Sequence, residues 1–214
     1  MSTYHSPQLT PLLRGWPVIL LCSAIGMVAA VLLSLTQPLE YSSTTRILIT
    51  QELGVVDAYT ASRSAERIAD DLAGIVYTST FFDKVLNSGF DIDPTYFPAD
   101  VVRSRKVWEK AISASVSRGT GLLSIKAYHT DVTQAEEIAR AVAFVLSTQG
   151  WTYTSGGNIT IQVVDDPLNS EYPVRPNIPI NGVSGFFLGG LAGAAYIFIQ
   201  AERRRIRHHA VHLE

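Results

Sequence analysis

The sequence predicts a mixed α+β domain between two transmembrane helices. Two long uncharged apolar stretches lie near the ends of the 214-residue chain. Between them, runs of alternating β-branched residues take turns with runs of helical periodicity. Hydrophobic residues make up 47% of the chain and charged residues only 17%. This length allows one ordinary domain in addition to the two apolar stretches.

The first apolar stretch is "WPVILLCSAIGMVAAVLLSL". A helix of about 20 such residues crosses the ~30 Å hydrocarbon core of a bilayer, which predicts a transmembrane helix over residues 16–36. The alternative is a cleaved signal peptide, whose apolar part is usually about 7–15 residues long and precedes an A-x-A-like site. This stretch is longer and continues into "TQPLEY", so a retained helix is favoured.

The second apolar stretch, "INGVSGFFLGGLAGAAYIFIQA", predicts a transmembrane helix over residues 181–201. It contains Gly185, Gly189 and Gly193, which give two overlapping G-x-x-x-G matches. Small residues at this spacing let a second helix approach the backbone closely. The first helix has Gly26 and Ala30 at the same spacing, so we expect the partner to be that helix or a neighbouring subunit.

The charges that flank the apolar stretches predict the orientation. The tail, residues 202–214, contains four arginines, and the N-terminal segment, residues 1–15, has one arginine and no acid. Positive flanks stay in the cytoplasm, so both termini are expected inside and residues 36–179 outside. That outer segment has 12 basic and 17 acidic residues, a net charge of −5. The tail arginines are suited to docking a kinase or contacting anionic lipid: Arg203, Arg204, Arg205 and Arg207.

The outer segment begins with the strand pattern "YSSTTRILITQ". "DAYTASRSAERIADDLAGIVYTSTFFDKVLNSG" has helical periodicity and predicts one long helix or two, ending at Gly89. Pro94 and Pro98 then interrupt any helix, and Asp100 is a candidate N-cap for the helix "VVRSRKVWEKA".

The stretches "ISASVS" and "LLSIKAY" predict a hairpin, joined by "RGTG", in which Gly119 and Gly121 tolerate positive φ. A helix follows, with Thr130 or Asp131 as N-cap and Gly150 beyond its end. "NITIQVVDDP" is the last strand. The order β-α-α-β-β-α-β is close to the split βαβ, or ferredoxin-like, plan. We therefore expect an α+β domain over residues 37–169, with helices on one face of its sheet.

A proline-rich connector is predicted over residues 170–180. Pro173, Pro176 and Pro179 are three residues apart, the repeat of a polyproline II helix. This spacing predicts a stiff link between the outer domain and the second transmembrane helix. Pro179 lies where a helix can begin.

One basic helix face is a candidate binding surface. Arg103, Lys106 and Lys110 share this face, with Trp108 nearby. Such a face suits an acidic glycan or the phosphates of a lipid-linked precursor, on which a tryptophan ring can also stack. The alternatives are an ordinary solvated helix face and a subunit contact.

Nothing in the sequence points to catalysis. His129 is the one histidine of the outer segment, and no cysteine accompanies it there, which makes it a poor metal or triad candidate. No G-x-x-x-x-G-K-[ST] motif occurs, so the phosphate-binding loop of a kinase is missing. The prediction is a protein that is not an enzyme, with no cofactor, metal or nucleic acid.

Three segments together resemble the chain-length-determinant (Wzz) family of polysaccharide co-polymerases. They are "PLEYSSTTRILIT", "TGLLSIKAYHTDVTQAEEIARAV" and "VVDDPLNSEYPVRPNIPINGVSGFFLGGLAGA", and the resemblance extends over residues 10–200. It implies a bacterial inner- or plasma-membrane protein that forms rings of identical subunits. Such a protein governs the length or export of a capsule, an exopolysaccharide or the O-antigen of lipopolysaccharide.

Within this family, the short members that activate a separate cytoplasmic tyrosine kinase fit best. The 144-residue outer segment is too short for the long helical hairpin of other members, and no fused kinase is present. The partners that the resemblance implies are identical subunits, membrane lipids, a polysaccharide polymerase with its lipid-linked glycan, and the kinase.

The alternative is a two-span sensory or signalling protein. Its outer domain would bind an extracellular ligand, and its basic tail would recruit a cytoplasmic partner. A tyrosine kinase or glycosyltransferases encoded nearby would favour the scaffold, whereas a sensor kinase alone would favour this alternative.

Overall fold

The structure is a computed structural model that describes residues 15–52, 57–154 and 158–211, with side chains in the last helix described as far as Arg203. It divides into two units, one built on the two apolar helices and the other spanning Leu39–Val174. The helices are α1 (Trp16–Leu35), α2 (Ala58–Ile75), α3 (Ser79–Leu86), α4 (Val101–Ala111), α5 (Val132–Gln149) and α6 (Ile178–Val211). The strands are β1 (Tyr41–Glu52), β2 (Ile112–Val116), β3 (Leu122–His129) and β4 (Asn158–Asn169). The predicted mixture of helices and strands is confirmed.

The four strands form one antiparallel sheet in the order β2-β3-β1-β4. The predicted hairpin of β2 and β3 is confirmed, with Ile112 paired to Ala127 at one end and Val116 paired to Leu123 at the other. The central strand β1 pairs with β3 on one side and β4 on the other. The sheet therefore joins segments from the whole length of the α+β unit.

The edge strand β4, which pairs only with β1, is irregular. Its register against β1 shifts on both sides of Arg46, so that Asp166 and Pro167 lie opposite Thr45 in a bulge. The Thr45 hydroxyl donates to the backbone carbonyl of Asp165 at 2.8 Å. This bond stabilises the bulge, because the buried Thr45 hydroxyl reaches the Asp165 carbonyl only when β4 has two residues opposite Thr45.

The core lies on one face of the sheet. Every second residue of the central strands is fully buried there, against α2 and α5. Each large aliphatic side chain buried in this way contributes about 1.5–3 kcal/mol to folding. The residues are Ile47, Ile49, Leu123 and Ile125 from the sheet, with Leu72, Ile138, Val142 and Leu146 from the helices. The intervening strand residues face the other way and are mostly polar.

Local capping signals mark the helix ends. The Asp100 carboxylate accepts the backbone N–H of Arg103 at 3.0 Å, as the sequence predicts. Asp131, rather than Thr130, caps α5 and accepts the N–H of Thr133 at 2.8 Å. The predicted long helical run is two helices, because α3 starts anew after its own N-cap, Thr78.

The two glycines of the hairpin turn have different roles. Gly119 has a φ of +70°, as expected for the turn, but Gly121 does not have positive φ. The N–H of Ile49 donates to the Gly121 carbonyl at 2.8 Å, and a Cβ on Gly121 would overlap the carbonyl oxygen of Ile49. Gly121 is therefore needed for this close backbone approach, and not for the positive φ that it would tolerate.

The polyproline II interpretation of the connector is wrong in its second half. A regular polyproline II helix through Pro173, Pro176 and Pro179 has no internal hydrogen bonds. The N–H of Ile178, however, donates to the Pro176 carbonyl at 3.0 Å, which makes a tight turn. Pro179 is the second residue of α6, where its missing N–H has no intrahelical partner to lose.

Candidate functional site

The glycine row of α6 lies directly against α1. A Cβ on Gly189 would overlap the carbonyl oxygen of Cys22. A Cβ on Gly185 would lie 2.5 Å from the Ala30 Cβ, and one on Gly193 would lie 3.0 Å from the Cys22 Cβ. No side chain larger than hydrogen fits at Gly185 and Gly189 without moving the helices apart. Within the chain, the partner of this row is the first apolar helix.

A polar contact supplements this packing. The side-chain amide of Asn181 donates to the Ser34 hydroxyl at 2.8 Å, and that hydroxyl donates to the Ala30 carbonyl at 2.9 Å. Ser34 is 2% exposed, so the contact is shielded from the surroundings. Hydrogen bonds of this kind hold paired helices together where water is excluded.

The outer surface of the helix pair is apolar. Trp16–Leu35 and Ile178–Arg203 are long and apolar enough to cross a membrane. Large apolar side chains point away from the helix contact and are more than half exposed, among them Leu21, Leu33, Leu188 and Leu191. A continuous apolar surface of this kind suits contact with hydrocarbon.

The four predicted tail arginines follow the apolar part of α6. Arg203 is exposed. The backbone of α6 continues to Val211, but the side chains of Arg204, Arg205 and Arg207 lie outside the described residues. The docking role therefore stays a prediction.

The basic face of α4 differs from the sequence prediction in one residue. Arg103, Lys106 and Lys110 are exposed. Trp108 is only 1% exposed and its indole N–H donates to the Val76 carbonyl at 2.8 Å. The expectation that Trp108 contacts a sugar is therefore wrong, because both faces of its ring are in the core.

A polar groove of about 460 Å³ lies on the sheet face opposite the core, and we call it the open face. Its charged and hydroxyl-bearing side chains come from all four strands, and Leu168 adds an apolar contact. They include Thr44, Arg46, Ser115, Ser124, Lys126 and Asp165. The sequence interpretation did not identify this surface.

Cross-strand pairing sets the arrangement of the open face. Lys126 stands beside Thr44 in β1 and Ser113 in β2. Arg46 stands beside Ser124 and beside Asp165, with which it forms an ion pair at 3.3 Å. Lys126 is exposed and forms no ion pair with the described residues. The groove thus contains one neutralised and one available cation among hydroxyl groups.

His129 lies at the end of β3, on the core side. It is 7% exposed, its Nδ1 accepts the N–H of Asp131 at 3.0 Å, and its ring packs on Tyr96 at 4.2 Å. Burial lowers the pKa of His129, against the opposing effect of nearby carboxylates including Asp131 and Asp93. His129 is therefore a neutral part of the core, and among the described residues no cluster of three or more metal-ligating side chains occurs.

Acidification is expected to destabilise the α+β unit through His129. Its pKa is about 6.5 when unfolded and lower when folded, so the unfolded chain takes up the proton first. The contribution of His129 to the free energy of unfolding is complete above about pH 6.5. It declines as the pH falls from about 6.5 towards the folded pKa. Thermal unfolding of the detergent-solubilised protein between pH 8 and 5 should show this decline. A His129→Gln variant should flatten it, and an equally steep decline in that variant would exclude His129 as the cause.

A smaller pocket, of about 250 Å³, lies between α3 and α4. Its walls are mainly apolar and include Phe82, Leu86, Phe97 and Val101. Small-molecule sites usually occupy about 300–1,000 Å³ and have several convergent polar groups. This pocket therefore gives little support to a sensory ligand site.

Models of known protein families show no match to this chain, and curated proteins show none either. The resemblance of the three quoted segments to polysaccharide co-polymerases therefore stays an expectation.

Proposed function

We propose that this chain is a non-catalytic membrane scaffold that regulates the chain length or export of a bacterial surface polysaccharide. The polysaccharide is a capsule, an exopolysaccharide or O-antigen, and the scaffold acts with a separate cytoplasmic tyrosine kinase. The main support is the organisation of the chain, in which an antiparallel α+β unit separates two apolar helices and arginines follow the second. The three family-like segments cover most of β1, then β3 with the first part of α5, and then the second half of β4 with the first part of α6.

The strand order supports a ferredoxin-like plan for the α+β unit. The connection from β1 through α2, α3 and α4 leads to β2, which is not adjacent to β1. Strand β3 occupies the gap between them, and β4 returns to the free side of β1. A βαβ unit split by an inserted antiparallel strand is the defining feature of that plan.

The proposed topology places both termini in the cytoplasm and the α+β unit outside the cell membrane. The support is the cationic flank on each apolar helix, which the positive-inside rule assigns to the cytoplasm. In this arrangement Arg203, Arg204, Arg205 and Arg207 face anionic lipid and the kinase. The α+β unit faces identical subunits, the polymerase and its lipid-linked glycan.

Close packing between α1 and α6 supports a scaffold that transmits assembly outside to the tail inside. Gly185 and Gly189 bring the two backbones into contact, and rigid elements in direct contact are able to carry such coupling. The basic end of α6 then moves with the helix pair, because α6 is continuous to Val211.

A gene deletion and a truncation before Glu202 test this proposal together. The deletion is expected to change the size distribution or amount of surface polysaccharide. The truncation should leave the assembled protein intact but abolish autophosphorylation of the kinase, because it removes the four tail arginines. Unchanged polysaccharide after the deletion would refute the scaffold, and full kinase activity after the truncation would refute docking through the tail.

A further inference from the structure

We propose that the open face of the sheet binds an acidic glycan, in which carboxylate groups are spaced along a neutral hydroxylated sugar chain. This inference deepens the proposed function and rests on it for the presence of such a glycan. The chemistry of the groove supports it independently. The groove is a different surface from the basic face of α4.

The charges of the groove favour a sparsely charged anion. Lys126 is an exposed cation with no ion-pair partner among the described residues, whereas Arg46 is already neutralised by Asp165 at 3.3 Å. The groove therefore offers one position for an anionic group. A nucleic acid or polyphosphate has a charge on every unit and requires a row of cations.

The rest of the groove suits the hydroxyl groups of a sugar. Thr44, Ser115 and Ser124 present hydroxyls, each of which is able to donate one hydrogen bond and accept others. Positions two residues apart on a strand are about 7 Å apart, and neighbouring strands are about 5 Å apart. Polar groups are thus spread on the scale of a single sugar ring on either side of Lys126. Leu168 supplies an apolar contact for the carbon face of a ring.

The basic face of α4 is less suited to the same ligand. Trp108 is buried and is not available for stacking. Lys110 already has an interaction within the structure. A concave surface also buries more of a ligand than a single convex helix does.

Binding to full-length protein in detergent micelles, measured by isothermal titration calorimetry, tests the inference. The probes are a hyaluronan hexamer, in which every second sugar bears a carboxylate, and its carboxyl-reduced counterpart of equal length. Lys126→Gln is expected to weaken binding of the acidic hexamer by about tenfold, and the wild type should bind the reduced hexamer about tenfold more weakly. Lys126→Arg should retain binding. Lys106→Gln, the same change on the exposed face of α4, should have no effect.

Several results would overturn the inference. Equal binding of the two hexamers would remove the role of the carboxylate. A loss in Lys106→Gln, with Lys126→Gln unaffected, would assign the glycan to α4. A change in oligomer size in Lys126→Gln without a change in glycan affinity would assign the groove to a second copy of the chain.

The calorimetry also separates this inference from the proposed function. If binding depends on Lys126 but gene deletion leaves the polysaccharide unchanged, the groove binds glycan and the scaffold role fails. If deletion alters the polysaccharide but Lys126→Gln leaves binding unchanged, the scaffold role stands and the inference fails.

Discussion

Replacing Trp108 with alanine is expected to lower the free energy of unfolding of the α+β unit by about 3–5 kcal/mol. The indole ring is 1% exposed, and its centroid lies 5.0 Å from that of Phe82 and 6.1 Å from that of Phe97. Truncation would leave a cavity among these aromatic rings. It would also leave the buried Val76 carbonyl without the indole N–H that now binds it at 2.8 Å.

Thermal unfolding monitored by circular dichroism, on detergent-solubilised protein, measures this effect. Trp151→Ala is the matched control, because Trp151 is 63% exposed although its indole N–H also has a backbone partner, the Thr148 carbonyl. Its cost should stay within about 1 kcal/mol. The stability lost in Trp108→Phe should lie between those of the two alanine variants, since phenylalanine retains most of the packing and loses the hydrogen bond. Similar costs for Trp108→Ala and Trp151→Ala would contradict the burial of Trp108.

The second large effect is expected from Gly189→Leu in α6. A side chain at this position collides with the backbone of α1 at Cys22, which no rotamer change relieves. Overpacking costs about 1–3 kcal/mol in protein interiors, and a collision with backbone belongs to the upper part of that range. The two helices should separate and lose the Asn181–Ser34 hydrogen bond at 2.8 Å.

Disulfide formation between Cys22 and a new cysteine, Gly193→Cys, reports on this separation. A Cβ at position 193 would lie 3.0 Å from that of Cys22, about 0.5 Å closer than in a relaxed disulfide, so a small outward shift of the helices should let mild oxidant cross-link the two within one chain. Adding Gly189→Leu should reduce the cross-linked fraction severalfold. Adding Ala195→Leu instead, at an exposed position on the same helix, should leave the cross-linked fraction unchanged. Cross-links that form only between chains would show instead that the glycine row pairs neighbouring subunits.

Features that depend on neighbouring residues were predictable from the sequence. The N-caps Asp100 and Asp131 bind N–H groups two or three residues away, and alternation of apolar residues located the strands. The role of Gly121 was not predictable in this way, because the backbone it approaches belongs to Ile49 in a different strand. The local pattern "RGTG" identified Gly121 as a turn residue. It did not reveal that the close approach to Ile49 is what requires a glycine there.

The candidate binding surface was the least predictable feature. Arg46, Ser124 and Asp165 become neighbours only through the register of three strands, which no local pattern encodes. The misassignment of Trp108 has a more local cause. Its companions on the buried side of α4 are Ser104 and Ala111, which are too small or polar to give a clear apolar stripe beside three basic residues.

The bulged edge of the sheet has a consequence for copies of this chain at high local concentration. An exposed edge strand usually pairs readily with the edge strand of another chain. In β4 the bulge places the exposed Asp166 beside Pro167 at this edge; the acid repels an identical strand, and the proline lacks an N–H for a ladder. Neighbouring copies are therefore expected to stay separate folded units instead of merging their sheets into an aggregate, even at high local density.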